Sequence, residues 1–101
     1  VRVPKRFRLG PHEIEVQFLL QSEINDKAGG SVLGLWVPGE LTIYLAKPSK
    51  TLKKEVQLHT FWHEYFHALY WCLGRMDESA DEVLVDQCGL LTMQALQSAE
   101  Y

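Results

Sequence analysis

The chain has 101 residues, 47% hydrophobic, 11% aromatic and 23% charged, with a formal net charge of −3. That length and composition describe a single globular domain, residues 1–101, and exclude two separate cores and a disordered chain. No apolar run approaches the roughly 18 residues of a membrane helix, and the negative balance argues against bulk nucleic-acid binding.

The charge is unevenly spread. Residues 1–54 carry nine Lys/Arg against five acids, whereas residues 55–101 carry only Arg75 against eight acids. Such a split marks either a solvated face or an interaction surface. Two cysteines, Cys72 and Cys88, are too few for a disulfide scaffold. Their apolar surroundings suit the buried thiols of a reduced, cytoplasmic protein. The chain begins with Val1 rather than Met, which leaves room for residues upstream.

Lys5 to Leu20 alternates, with Phe7, Leu9, Ile14, Val16 and Phe18 apolar between polar neighbours. Gly10-Pro11 interrupts the run as a turn would, which predicts an antiparallel hairpin. Gln21 to Gly30 is polar and reads as a short helix or a loop. Ser31 to Val37 and Glu40 to Ala46 are two further strands, joined by Pro38-Gly39, a pair suited to a type II turn. In the second, Leu41, Ile43 and Leu45 share one face, and Thr42 and Tyr44 the other.

From Pro48 the period changes. Ser49 or Thr51 can cap a helix whose apolar positions Leu58, Trp62, Tyr65, Leu69 and Cys72 recur at helical spacing, with Gly74 as its stop. Ser79 opens a second helix with Val83, Leu84, Cys88, Leu91, Ala95 and Leu96 on its expected buried side. Strands followed by two helices predict an α+β domain: a small antiparallel sheet of about four strands with both helices on one face.

The chemistry is concentrated in His63-Glu64-Tyr65-Phe66-His67, an H-E-x-x-H run inside the first long helix. Histidines at i and i+4 lie one turn apart on one face, so both imidazoles can reach one cation. Glu64 is placed to take a proton from an activated water. Random shuffling of this composition produces the pattern in about one sequence in 70. An apolar helix also gains nothing from burying two imidazoles and a carboxylate that lack partners. His59 lies a further turn back, about 12 Å from His67 at ~1.5 Å per residue, too far to share one zinc with it. It is expected on the cleft wall or surface, and His12, in the hairpin turn, in solvent.

A catalytic zinc needs a third protein ligand and an open position. No His follows His67, and Cys72 and Cys88 fall on apolar faces, so Glu82 and Asp86 remain, one turn apart on the second helix. A helical hairpin returns the start of that helix beside the end of the first. Glu82 has a competing reading, because Ser79-Ala80-Asp81-Glu82 is also an S-x-x-E capping box.

With these pieces the chain resembles a small gluzincin-type zinc metallopeptidase. The closer resemblance is to the compact metallopeptidase-like proteins of tailed bacteriophages and prophages. The matching segments are Lys5–Phe18, Thr42-Ile43-Tyr44-Leu45, His63–Leu69 and Asp81–Asp86, which cover most of the chain. The last of them, through Gly89, is also similar to the E-x-x-x-D helix of thermolysin-like enzymes. The resemblance implies a zincin-like domain with one zinc per chain. His63, His67 and Glu82 would be its ligands, Asp86 the support of a ligand histidine and Glu64 the catalytic base. ImmA/IrrE-like and SprT-like peptidases are more distant relatives, and the latter usually supply a third His that is absent here after His67. Larger gluzincins also carry a downstream His or Tyr that stabilises the oxyanion. Here only Tyr101 follows Asp86, so Tyr44 or His59 is the expected substitute.

The expected activity is a zinc-dependent endopeptidase acting on a peptide or protein substrate, with no membrane partner. Glu40 to Ala46 is the strand expected to bind that peptide along its edge. Two other readings remain open. One is a non-catalytic phage accessory protein stapled by a structural zinc. The other is a DNA-associated regulatory protease that touches nucleic acid through Arg2, Lys5, Arg6 and Arg8.

Overall fold

A computed structural model describes residues 2–101; Val1 lies outside them. The elements run β1 (Arg6–Leu9), β2 (His12–Leu19), α1 (Gln21–Ala28), β3 (Gly34–Val37), β4 (Thr42–Ala46), α2 (Lys54–Cys72), α3 (Met76–Ser79) and α4 (Glu82–Ser98). The hairpin forms as its alternation predicts, pairing Phe7 with Ile14 and Leu9 with His12. Gly10 supplies the left-handed turn residue, at φ 60°. Ile14 and Val16 are buried, while Glu13, Glu15 and Gln17 face water.

The fold is α+β, but its four-stranded sheet is mixed rather than antiparallel. The strand order is β1-β2-β4-β3, and β2 runs parallel to β4, with Val16 beside Ile43. A parallel return needs a crossover of a dozen or more residues. The segment through α1 and β3 supplies it, and β3 then turns back antiparallel to β4. The turn at Pro38-Gly39 is not type II. Pro38–Glu40 forms one 3-10 turn, and the left-handed residue is Leu41, at φ 50°. β4 is therefore an interior strand, and all five of its residues are buried.

Helices cover both faces, not one. Against one face, α2 presents Phe61 and Ala68 to Ile14, Val16, Ile43 and Leu45. On the other, Ile24 of α1 joins Tyr44, Ala46 and Leu52 in a second, smaller core. Ser49 and Thr51 do not cap α2, which begins after Lys53 without a side-chain cap. The Ser49 hydroxyl instead accepts the amides of Thr51 and Leu52, each at 3.2 Å. Gly74, at φ 74°, ends the helix in a Schellman motif. There the Arg75 amide reaches the Tyr70 carbonyl at 2.8 Å and the Gly74 amide reaches Trp71 at 2.9 Å. Among the described residues no helix is long and apolar enough to cross a membrane.

The second long helix does not begin at Ser79. Ser79 closes the short α3, and Asp81 caps α4 by accepting the Leu84 amide at 3.0 Å. Its buried line is Val85, Gly89 and Met93, whereas Val83 and Leu91, expected inside, are 67% and 63% exposed. Gly89 explains the rotation. A Cβ there would lie 2.9 Å from the His63 nitrogen and 2.9 Å from the Trp62 carbonyl carbon, so the two backbones meet without a side chain between them. Cys72 and Cys88 are free and half-buried.

Gly89→Ala tests that contact. Helix propensity alone would favour alanine by about 1 kcal/mol. The approach to backbone atoms, which cannot rotate away, should outweigh this and destabilise the protein by about 1–3 kcal/mol in urea unfolding. An unchanged or raised midpoint would mean that α4 is not held this close.

Candidate metal centre

α2 carries His59, His63, Glu64 and His67 over a little more than two turns. Its H-E-x-x-H spacing turns both later histidines toward the first turn of α4, while Glu64 faces the sheet. The backbone contact at Gly89 sets α4 close enough for its acidic first turn to reach them. The Glu82 carboxylate lies 2.9 Å from His63 Nε2 and 3.2 Å from His67 Nε2. The two Nε2 atoms are 3.2 Å apart.

Each imidazole is held from behind. His63 Nδ1 donates to Asp86 Oδ1 at 2.9 Å. His67 Nδ1 donates to the Ser79 carbonyl, and the Ser79 hydroxyl returns a bond to the His67 carbonyl at 2.8 Å. A carbonyl can only accept, so His67 Nδ1 carries a proton and its Nε2 faces the cluster. Two imidazole nitrogens and a carboxylate oxygen thus lie within 4.8 Å of one another, a group that could hold a metal ion. The donors fit zinc: two imidazoles and one carboxylate, with outer partners fixing both rings.

Glu64 stands beside this cluster without joining it. Its Oε1 accepts the Trp36 amide at 3.0 Å, and its Oε2 lies 3.9 Å from His63 Nε2. Burial pushes its carboxyl above the ordinary 4.5, although His67 and His63 pull in the other direction. For His63, burial favours the neutral ring, but the Asp86 hydrogen bond and the Glu64 and Glu82 charges outweigh it and raise its pKa above 6.5. A cleft of about 480 Å³ opens over the group, walled by Val32, Leu33 and the following β3 residues to Trp36, and by His59 and Thr60.

Of the residues singled out in the sequence, His63, Glu64, His67, Glu82 and Asp86 come together. The capping-box reading of Glu82 fails, because Asp81 caps the helix and Glu82 is its first residue. His59 stands on the cleft wall, with Nε2 3.2 Å from Asp86 Oδ1 but not aligned for a hydrogen bond. Tyr44 is not at the site. It lies in the core under α1, where its hydroxyl donates to Glu40 and Lys27 covers its ring. Along β4, Ile43 and Leu45 pack toward α2, so by alternation Tyr44 lies on the opposite face. His12 is half-buried rather than solvated, with its ring 5.9 Å from that of Trp71. The Trp36 amide and the Ser79 carbonyl escape a sequence reading because both are backbone groups. In comparisons with family models, curated proteins and solved structures, nothing matches the chain.

Two outcomes follow from this geometry. Glu82→Ala should weaken zinc binding more than Asp86→Ala, and the latter should still lose about 10–100-fold in chelator competition. With Asp81 as the cap, Glu82→Ala should cost the metal-free protein no helix cap, so that any loss in its melting temperature appears only at low pH, where His63 is charged. A larger loss in Asp86→Ala would exchange the two roles.

The pH dependence should reverse with metal. A raised His63 pKa contributes stability that is present below 6.5 and lost as pH rises through the folded value. The raised Glu64 pKa acts in the same sense, from 4.5 upward. The metal-free protein should therefore lose stability on going from about pH 5 to 8. Zinc competes with protons for the imidazoles, so the zinc-loaded protein should gain stability over that interval. Melting series with and without chelator check both signs.

Proposed function

We propose that the protein is a zinc-dependent endopeptidase. The observation that carries this reading is the convergence of His63 Nε2, His67 Nε2 and the Glu82 carboxylate beside a carboxylate, Glu64, that is not part of the set. A purely structural site closes its coordination with four ligands and has no use for a neighbouring base. Here three donors gather at the floor of an open cleft. Zinc held by them would supply the Lewis acidity that lowers the pKa of water and polarises a carbonyl.

The chain's own groups account for the remaining steps. Glu64, buried and raised in pKa, can accept a proton from the attacking water at Oε2 and pass it to the leaving amine. Asp86 and the Ser79 carbonyl keep both imidazoles turned toward the cleft floor. The peptide-binding edge is β3, not the strand from Glu40 to Ala46, because β4 is paired on both sides. Just before β3 the Leu33 carbonyl accepts the Ala46 amide at 2.9 Å. By strand alternation Leu35 and Val37 also bond to β4, and the amide and carbonyl of Gly34 point to the free edge, over the cleft. An extended peptide adding there would pass across the histidine–carboxylate cluster. His59, on the same wall, is the side chain available to a developing oxyanion.

Glu64→Gln should keep the fold and one zinc per chain while lowering hydrolysis of an unfolded protein substrate by about 100-fold or more. Mass spectrometry of the products, with metal analysis of the same sample, measures both. Full activity in the variant would remove Glu64 from the role of base. An inactive wild type with a full complement of zinc would refute the peptidase reading itself.

A further inference from the structure

We propose that the backbone amide of Trp36, on the free edge of β3, is the group that positions Glu64 for proton transfer; the inference rests on the peptidase reading. Glu64 is 7% exposed and projects from α2 toward the sheet on a side chain with three rotatable bonds. One amide on Oε1, at 3.0 Å, removes most of that freedom and leaves Oε2 turned to the histidines. The two oxygens thereby divide the work, one anchored and one available to a proton. An anchor of this kind holds a reacting group near its productive geometry before substrate arrives.

A second feature of β3 serves the same contact. Gly34 precedes Trp36 by two residues and faces α2 on the same side of the strand. A Cβ there would lie 2.6 Å from Thr60 Cγ2 and 3.2 Å from Glu64 Cγ. Thr60 has little freedom to yield, because its hydroxyl bonds the Val56 carbonyl at 2.8 Å. The missing side chain at Gly34 lets the strand lie directly on the stem of Glu64, within reach of its carboxylate. The arrangement also sets the register of a bound peptide. The outward amide of Val32 is taken by Asn25 Oδ1 at 2.9 Å and that of Trp36 by Glu64. Gly34 is left between them as the pairing point, so the strand that receives the peptide also fixes the base against it.

Trp36→Pro would delete the amide but can also break the strand, so the test uses other variants of the full chain. Amide hydrogen exchange followed by NMR reads the anchor without any substrate. In Glu64→Ala the Trp36 amide should exchange at least about tenfold faster, while Leu35, bonded to β4, stays as in wild type. Glu64→Gln should keep Trp36 slow, since its carboxamide oxygen still accepts. In turnover, Gly34→Ala should lower kcat by about tenfold with KM within about threefold and zinc content unaltered. Adding Thr60→Ser, which removes the methyl at 2.6 Å, should restore part of the loss. Equal Trp36 exchange in wild type and Glu64→Ala overturns the proposal whether or not peptide is cleaved, and so does full kcat in Gly34→Ala. A slow Trp36 amide in a zinc-loaded chain that cleaves nothing overturns instead the peptidase reading, and with it the catalytic purpose of the anchor.

Discussion

The contact between the backbones of α2 and α4 at Gly89 is the constraint on which the candidate site depends. Two helices with ordinary side chains between them sit about 8–10 Å apart. At that spacing the carboxylates of the first turn of α4 would stand off from α2. With no side chain at Gly89, the helices close until a Cβ would meet the His63 amide nitrogen. Three and seven residues earlier on α4, Asp86 and Glu82 then arrive at opposite nitrogens of the same imidazole. The Ser79 carbonyl, on the connection between the helices, meets the second imidazole from behind. One missing side chain thus brings a carboxylate to both imidazoles and a hydrogen-bond partner behind each ring.

The sheet provides the other half of the frame. Because β2 and β4 are parallel and β3 folds back outside β4, the strand facing the cleft is a short edge rather than the buried centre of the sheet. β4 is covered on both faces and fixed by neighbours on both sides, which suits a rigid floor. β3 keeps one side unpaired, which suits recognition. Its residues divide by parity: Leu35 and Val37 pack toward the core under α1, while Gly34 and Trp36 lie against α2.

How much of this is legible in the sequence depends on whether the controlling interaction is local. The hairpin is legible because the outer face of β1 and β2 is solvated, so Glu13, Glu15 and Gln17 alternate cleanly with Ile14, Val16 and Phe18. The helix bearing His63, Glu64 and His67 is legible from its period and from the glycine that ends it. α1 is harder to read, since Ile24 is its only buried residue and the rest of the segment is polar. The parallel pairing of β2 and β4 is not legible at all, because strand order is decided by distant segments. In α4, Val83, Leu84, Val85, Leu90 and Leu91 nearly encircle the helix. Its buried face was set by a glycine, a residue that hydrophobic periodicity does not count. Tyr44 misleads for a related reason: alternation places it on the face opposite Ile43, but only the sheet order says which face carries α2.

The three carboxylates around the histidines sit in three different surroundings. Glu82 is 71% exposed on a helix end and reaches both imidazoles from the solvent side. Asp86, half exposed, accepts from an imidazole and so holds that ring with its other nitrogen outward. Glu64 is 7% exposed, and its burial makes the ionised form costly. In isolation that would be a defect in the core. Beside two imidazoles and a backbone amide it becomes a carboxylate with raised proton affinity and one oxygen already fixed, the condition under which a base can take a proton and give it back. The difference between Glu64 and Glu82 lies in what covers them. Glu64 is roofed by β3, and Glu82 projects from the open end of a helix pair. The different surroundings of Glu64 and Glu82 thus follow from the packing of the sheet against α2 and from the way α4 meets it.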